Sequence, residues 1–179
     1  VPAVGVAPFP SWRKRRGSLS RSAVGEVRRL LRQGLLPVLH GDAVLSDDGA
    51  RCAVLSGDEL CVELSTALRP TLCVFITDVA GVYDQPPAAH PSARLLREIR
   101  VGRDGELLGL PVRSSAAEHD VTGGLGAKVA AAAAIAAKGV PVCICEAGTE
   151  HAAAALAGRV PARCTMVVAD RGRRRAAAS

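Results

Sequence analysis

Two short glycine-containing stretches hold the residues whose types and spacing could do chemistry. The first is Thr77-Asp78-Val79-Ala80-Gly81-Val82-Tyr83-Asp84, directly after the apolar run Leu72-Cys73-Val74-Phe75-Ile76. A strand ending in Thr-Asp and running into glycine resembles the carboxyl edge of an open α/β sheet, where ligands bind. Asp78 there can accept hydrogen bonds from a ribose or orient a metal-bound water. The second is Asp120-Val121-Thr122-Gly123-Gly124-Leu125-Gly126-Ala127-Lys128, directly before an alanine-rich run. Gly123 and Gly124 let backbone approach a ligand with no Cβ in the way. The first amides of the helix that follows have no intrahelical partner and favour an anion. Lys128 lies four residues after Gly124, on the same side of the first turn, so a phosphate on those amides would be within its reach. Only three of the 23 basic residues are lysine (Lys14, Lys128 and Lys138), and one of them stands here.

Two further strand ends have the same character. Leu55-Ser56-Gly57-Asp58-Glu59 reads as a capped helix start, with Ser56 as N-cap and acidic residues in the first turn. The cap accounts for Ser56 and Glu59 but does not require Gly57. Pro37-Val38-Leu39-His40-Gly41-Asp42 is again a strand running into polar residues and glycine.

These blocks, in this order, resemble the amino-acid-kinase superfamily and, within it, the isopentenyl phosphate kinase branch. Asp120-Val121-Thr122-Gly123-Gly124 separates that branch, with its fosfomycin-kinase relatives, from the acetylglutamate, aspartate and uridylate kinases. The resemblance covers most of residues 1–170. It implies transfer of a phosphoryl group from ATP, with Mg2+, to isopentenyl phosphate, giving isopentenyl diphosphate. It implies that Lys128 contacts the ATP phosphates and that Asp58 orients catalytic lysines. It places Gly57 near the acceptor phosphate, and Thr77, Asp78 and Tyr83 on the nucleoside side with Gly123 and Gly124 beside the phosphates. Leu125 stands where the family usually has methionine, a volume-conserving exchange. The Lys-bearing glycine loop, second glycine pair and acceptor-binding histidine of the family's amino-terminal part have no counterpart here; His40, His90, His119 and His151 do not replace that histidine. The chain thus reads as the nucleotide-binding portion of a kinase. The alternatives are another family member acting on a different phosphate or phosphonate, or a non-catalytic nucleotide-binding product. Family members often form homodimers.

The elements that must position these residues follow from patterning. Residues 1–21 read as loop, 22–33 as an amphipathic helix, 36–39 as a strand and 47–49 as a turn before strand 52–55. Then come helix 58–68, strand 72–77, a loop through 91, a short helix 93–99 and a loop 102–118. Helix 124–138, strand 140–145, helix 150–157 and strand 164–169 complete the chain. The alternation predicts an α/β fold, a three-layer αβα sandwich on a largely parallel open sheet. The chain divides into a partial kinase domain, residues 1–170, and a basic disordered tail, 171–179.

Composition narrows the function classes. Apolar residues make up 49% of the 179 but aromatic residues only 2%, so the core is aliphatic. No stretch is long and apolar enough for a membrane helix. Six cysteines without a C-x-x-C pairing argue against a zinc site and for a reduced, cytoplasmic protein, with Cys143 and Cys145 on one strand face. The net charge is +6, yet Arg13-Lys14-Arg15-Arg16 and the arginines at 171, 173, 174 and 175 supply eight basic residues. The excess is local, and no aromatic residues interleave to stack bases. Solvated loop and tail therefore fit better than a nucleic-acid partner.

Overall fold

The computed structural model describes residues 1–109 and 125–170. It divides into two compact units, Val1–Arg69 and Pro70–Ser179.

The first unit is built around a four-stranded sheet. Strands β2 (Arg13–Arg15) and β3 (Ser18–Arg21) form a hairpin whose turn residues, Arg16 and Gly17, both have positive φ (50° and 78°). That is the mirror-image turn that matches strand twist. β2 lies parallel to β5 (Asp42–Ser46), and β5 pairs antiparallel with β6 (Cys52–Leu55), giving the order β3-β2-β5-β6. A separate ribbon pairs β1 (Ala3–Gly5) in parallel with β4 (Leu36–Val38). Helix α1 (Val24–Arg32) buries Val24 and Val27, and α2 (Gly57–Leu68) buries Leu60. Trp12, Val24, Val44, Leu55 and Leu60 form the core, with Leu19, Leu39, Leu64 and Leu68 packed against them.

Two expectations fail in this unit. Residues 1–21 contain three strands, not a loop. The basic cluster at 13–16 is part of the sheet, because its charges have local partners. Lys14 is 7% exposed; its Nζ donates to Glu59 Oε1 at 2.6 Å and to the Val54 carbonyl at 3.0 Å. Arg13 Nη1 reaches Asp47 Oδ1 at 2.9 Å, and the Arg16 amide donates to Asp48. The turn at 47–49 exists, but it follows β5, a strand that Asp42 and Ser46 had obscured.

The second unit has one sheet of order β7-β10-β11-β8-β9. Strands β7 (Cys73–Thr77) and β10 (Val142–Glu146) run parallel, as do β11 (Thr165–Ala169) and β8 (Glu98–Val101). β11 is antiparallel to β10, and β9 (Leu107–Leu108) is antiparallel to β8. Helix α3 (Leu125–Ala137) packs on β11, β10 and β8, and α4 (Glu150–Leu156) on β10 and β7. Alternation along the strands sorts the two faces. Cys143, Cys145 and Cys164 pack with Ala152 and Ala155 beneath α4, so Ile144 and Val142 point the other way, towards α3. The short helix expected at 93–99 is absent. Leu95 bridges to Tyr83, and Glu98 opens β8. Here β-branched residues and a sheet neighbour outweigh a weak helical pattern. All six cysteines are free thiols. Among the described residues no helix is long and apolar enough to cross a membrane. The tail at 171–179 lies outside the described residues.

Candidate functional site

In the second unit the site grows from the carboxyl ends of β7 and β10. β7 ends at Thr77, which the register sets opposite Glu146 of β10. Thr77 is buried, and its hydroxyl donates to the Val79 carbonyl at 2.8 Å, which folds the chain sharply after the strand. Asp78, next in line, is exposed. Gly81 then passes so close to β11 that a Cβ there would meet Thr165 Oγ1 at 2.4 Å and the Thr165 amide nitrogen at 2.9 Å. Thr165 is fully buried; its hydroxyl accepts from the Val82 amide at 2.8 Å and donates to the Leu96 carbonyl at 2.7 Å. These bonds hold Tyr83 at the edge of the sheet, bridged to Leu95.

The antiparallel pairing of β10 with β11 ends at Ile144 and Thr165, two residues short of Glu146 and Arg163. Thr77 and Glu146 form one row across the edge, on the face away from α4. Tyr83 above all, together with the Glu146 carboxylate, favours the charged form of the Arg163 guanidinium further. Composition and spacing did not single out Arg163 or Glu146. The register of β10 on β7 brings out Glu146, and Arg163 is marked by its charge environment beside Tyr83 and Glu146.

Helix α3 leads through Gly139 (φ 88°) into β10 and packs along that strand. Its first turn thus lies toward the end of the sheet where Thr77 and Glu146 stand. Lys128 sits on that turn, half-buried. Gly123 and Gly124, expected beside it, lie outside the described residues. A groove of about 630 Å3 runs along α3, lined by Gly126, Ala130, Ala134, Lys138, Arg103 and Leu107 among others. None of Thr77, Asp78, Tyr83 and Lys128 lines it, so it is separate from the edge just described.

In the first unit the strand-to-helix junction after β6 carries Gly57 and Asp58. Ser56 Oγ accepts from the Glu59 amide at 3.1 Å, and Glu59 Oε2 accepts from the Ser56 amide at 2.9 Å, a complete capping box. Burial would raise the Glu59 carboxyl. The Lys14 ammonium and the Ser56 amide outweigh it and hold the group below its ordinary value. Gly41 passes close to backbone: its Cβ would lie 3.2 Å from the Leu55 carbonyl and 3.3 Å from the Gly57 amide. Gly57 itself is exposed and has open space where a Cβ would go. Asp58 is half-buried on the first turn of α2. His40 is exposed, its Nδ1 2.8 Å from the Gly41 carbonyl.

The comparisons with known proteins agree with this architecture. The model of the amino acid kinase family matches residues 1–146. An isopentenyl phosphate kinase of Arabidopsis thaliana is 41% identical over 169 residues, covering 88% of this chain and 51% of that protein. One from Methanothermobacter thermautotrophicus is 38% identical over 141 residues, covering 78% of this chain and 51% of its own length. An X-ray structure of isopentenyl phosphate kinase superposes with a TM-score of 0.72 at 31% identity, covering 94% of this chain and 60% of that one. The chain spans about half the length of the curated relatives it matches. Family model, relatives and solved fold together show that the chain belongs to the amino acid kinase family.

Proposed function

We infer that this chain is the nucleotide-binding portion of an ATP-dependent phosphotransferase acting on isopentenyl phosphate. Residues 1–170 form part of the kinase domain. The observation that carries the reading is the 41% identity to an isopentenyl phosphate kinase along 88% of the chain. The arrangement of the second unit supports it: Asp78 and Tyr83 stand on one sheet edge, and Lys128 on the first turn of a helix that starts toward that edge.

The chemistry asked of these residues is alignment and charge neutralisation rather than covalent catalysis. Lys128, a compact charge on a flexible stem, follows the phosphoryl group as charge builds on its oxygens. The α3 amides and the Gly123-Gly124 backbone cradle phosphate oxygens. Asp58 orients the cations at the centre, and Gly57, with no side chain, admits the acceptor phosphate against backbone. Thr77 shapes the turn that presents Asp78 and Tyr83 to the nucleoside. Among the described residues no three His, Cys, Asp or Glu side chains converge to hold an ion. Mg2+ therefore fits best as an ion carried in on the nucleotide's phosphates, where it would neutralise their charge. The reaction uses small, charged metabolites and suits a cytoplasmic enzyme, working alone or as a homodimer.

A second reading is a product that binds nucleotide without transferring phosphate. Calorimetric titration with MgATP, after cooperative unfolding is established, tests the shared part of both. Release of ADP on adding isopentenyl phosphate then separates them. A folded chain that ignores ATP would remove the site assignment.

A further inference from the structure

We propose that the groove between α3 and the β8–β9 hairpin binds a linear apolar chain ending in a phosphate or diphosphate, the chemistry of an isoprenyl diphosphate longer than the acceptor. The choice of an isoprenoid rests on the function proposed above; the groove itself does not.

The groove follows from where the helical layer stops. α3 packs on β11, β10 and β8, and β9 is the strand beyond them at the edge of the sheet. Leu107 pairs with Val101 and shares the face on which Val101 is buried, so the α3 side of β9 opens onto the groove. The opposite wall is one stripe of α3. Gly126, Ala130, Ala133, Ala134 and Ala137 fall at helical spacing, and all of them line it. The hairpin tip is firmly held. Gly105 has a φ of 87°, and its amide donates to the Gly102 carbonyl at 3.2 Å. The Asp104 amide donates to Glu106 Oε2 at 3.1 Å.

The lining decides the ligand. A volume of about 630 Å3 suits a small molecule. Between Gly126 and Lys138 the helix rises about 18 Å, room for a chain of several isoprene units lying along it. Over that length α3 presents only glycine, alanine and valine to the groove, and these side chains give a polar body no hydrogen bonds. Charge gathers at one end. α3 passes through Gly139 into β10 and runs opposite to it. β11 is antiparallel to β10 and β8 is parallel to β11, so α3 and β8 run the same way. Their carboxyl ends therefore share one end of the sheet. Arg103, after β8, and Lys138, after α3, line the groove there, two cations against the one carboxylate of Asp104. An anionic head is favoured at that end and an apolar chain along the rest. Thr77 and Glu146 stand at the opposite end of the sheet, so the head lies apart from the nucleotide edge.

The test titrates farnesyl diphosphate calorimetrically into the intact chain, with and without MgATP. Beside it run farnesol, which keeps the chain, pyrophosphate, which keeps the head, and dodecyl phosphate, an unbranched chain with an anion. Farnesyl diphosphate is expected to bind whether or not MgATP is present, and farnesol and pyrophosphate to bind far more weakly. Ala134→Leu, which fills the groove, should weaken farnesyl diphosphate by roughly tenfold or more, and Arg103→Ala by roughly fivefold. Ala153→Leu, exposed on α4 across the sheet, should leave it unchanged. Where Ala134→Leu lowers the unfolding midpoint, Arg103→Ala and the series of probes decide. Absence of farnesyl diphosphate binding overturns the proposal. So does displacement by MgATP, which would put the ligand at the nucleotide edge, equal binding of pyrophosphate, which would leave a plain anion site, or unchanged affinity in both groove variants. Equal binding of dodecyl phosphate supports the groove as a site for amphipathic anions and overturns the isoprenoid choice. Failure to bind MgATP removes the nucleotide reading and leaves this test standing.

Discussion

The strand ends after β6 and after β7 look alike in sequence, each a glycine-containing turn with an aspartate, but the structure uses them differently. After β6 the fold consumes Ser56 and Glu59 in a capping box and ties Glu59 to Lys14, while Gly57 has open space where a Cβ would go. After β7 the fold consumes the glycine. Gly81 is pressed against Thr165, Thr77 closes its own turn, and Asp78 and Tyr83 are displayed. A glycine in a ligand-binding motif can thus serve the ligand or the scaffold, and only the neighbouring strand tells which.

Substitutions test this contrast. The largest effect is expected at Lys128. In a chain extended to the full length of its relatives, Lys128→Ala should lower phosphoryl transfer by roughly 10²–10³-fold, the scale of losing one charge-stabilising donor, with the unfolding midpoint nearly unmoved. Comparable loss of stability would make Lys128 a scaffold residue like Lys14. Next is Gly81→Ala. Its Cβ collides with Thr165, including backbone, at a φ of 152°, and roughly 2–4 kcal/mol of stability should be lost in urea unfolding. A neutral result would mean that the edge yields easily. Lys14→Ala should cost about 2 kcal/mol, since it strands the Glu59 carboxylate and the Val54 carbonyl.

Glu59 gives a smaller, pH-dependent effect. Its folded value is depressed, so its contribution is present above the ordinary carboxylate value and is lost as pH falls through the lower folded value. Stability against pH should therefore slope less steeply below about pH 5 in Glu59→Gln than in the wild type. Asp47 is also held low, by hydrogen bonds from Arg13 and Ser20, and Asp48 by Ser46 and the Arg16 amide. The smallest effect is Gly57→Ala. It meets nothing within 4 Å, and stability should shift by less than about 0.5 kcal/mol. Loss of acceptor binding in the extended chain, without loss of stability, would show that the open space serves a ligand.

Much of this was legible in the sequence because local signals agreed with the fold. Helices α1, α2, α3 and α4 and strands β4, β6, β7, β10 and β11 fall within a few residues of their periodic patterns, and Ser56 announces its own cap. What could not be read depended on partners distant in the chain. Arg13–Arg15 looks like a solvated charge run until Glu59, 45 residues away from Lys14, is seen to neutralise it. β5 is masked by its polar ends, Asp42 paired with Leu55 of β6 and Ser46 with Lys14 of β2. Leu95 to Ile99 carries a weak helical pattern that sheet neighbours override. Arg163 has no motif at all, and its charge environment depends on Tyr83, 80 residues earlier in the chain. Thr77 and Asp78 were found as a pair, yet the structure gives the first to the turn and the second to solvent.

The chain has one tryptophan and one tyrosine, and they fall in different units. Trp12 is fully buried in the first core, its Nε1 without a hydrogen-bond partner among the described residues; Tyr83 lies on the edge of the second sheet. Near-ultraviolet spectra therefore contain one reporter for each unit. Tryptophan emission follows the melting of residues 1–69, tyrosine absorbance follows that of residues 70–170, and the two curves coincide only if the units unfold as one.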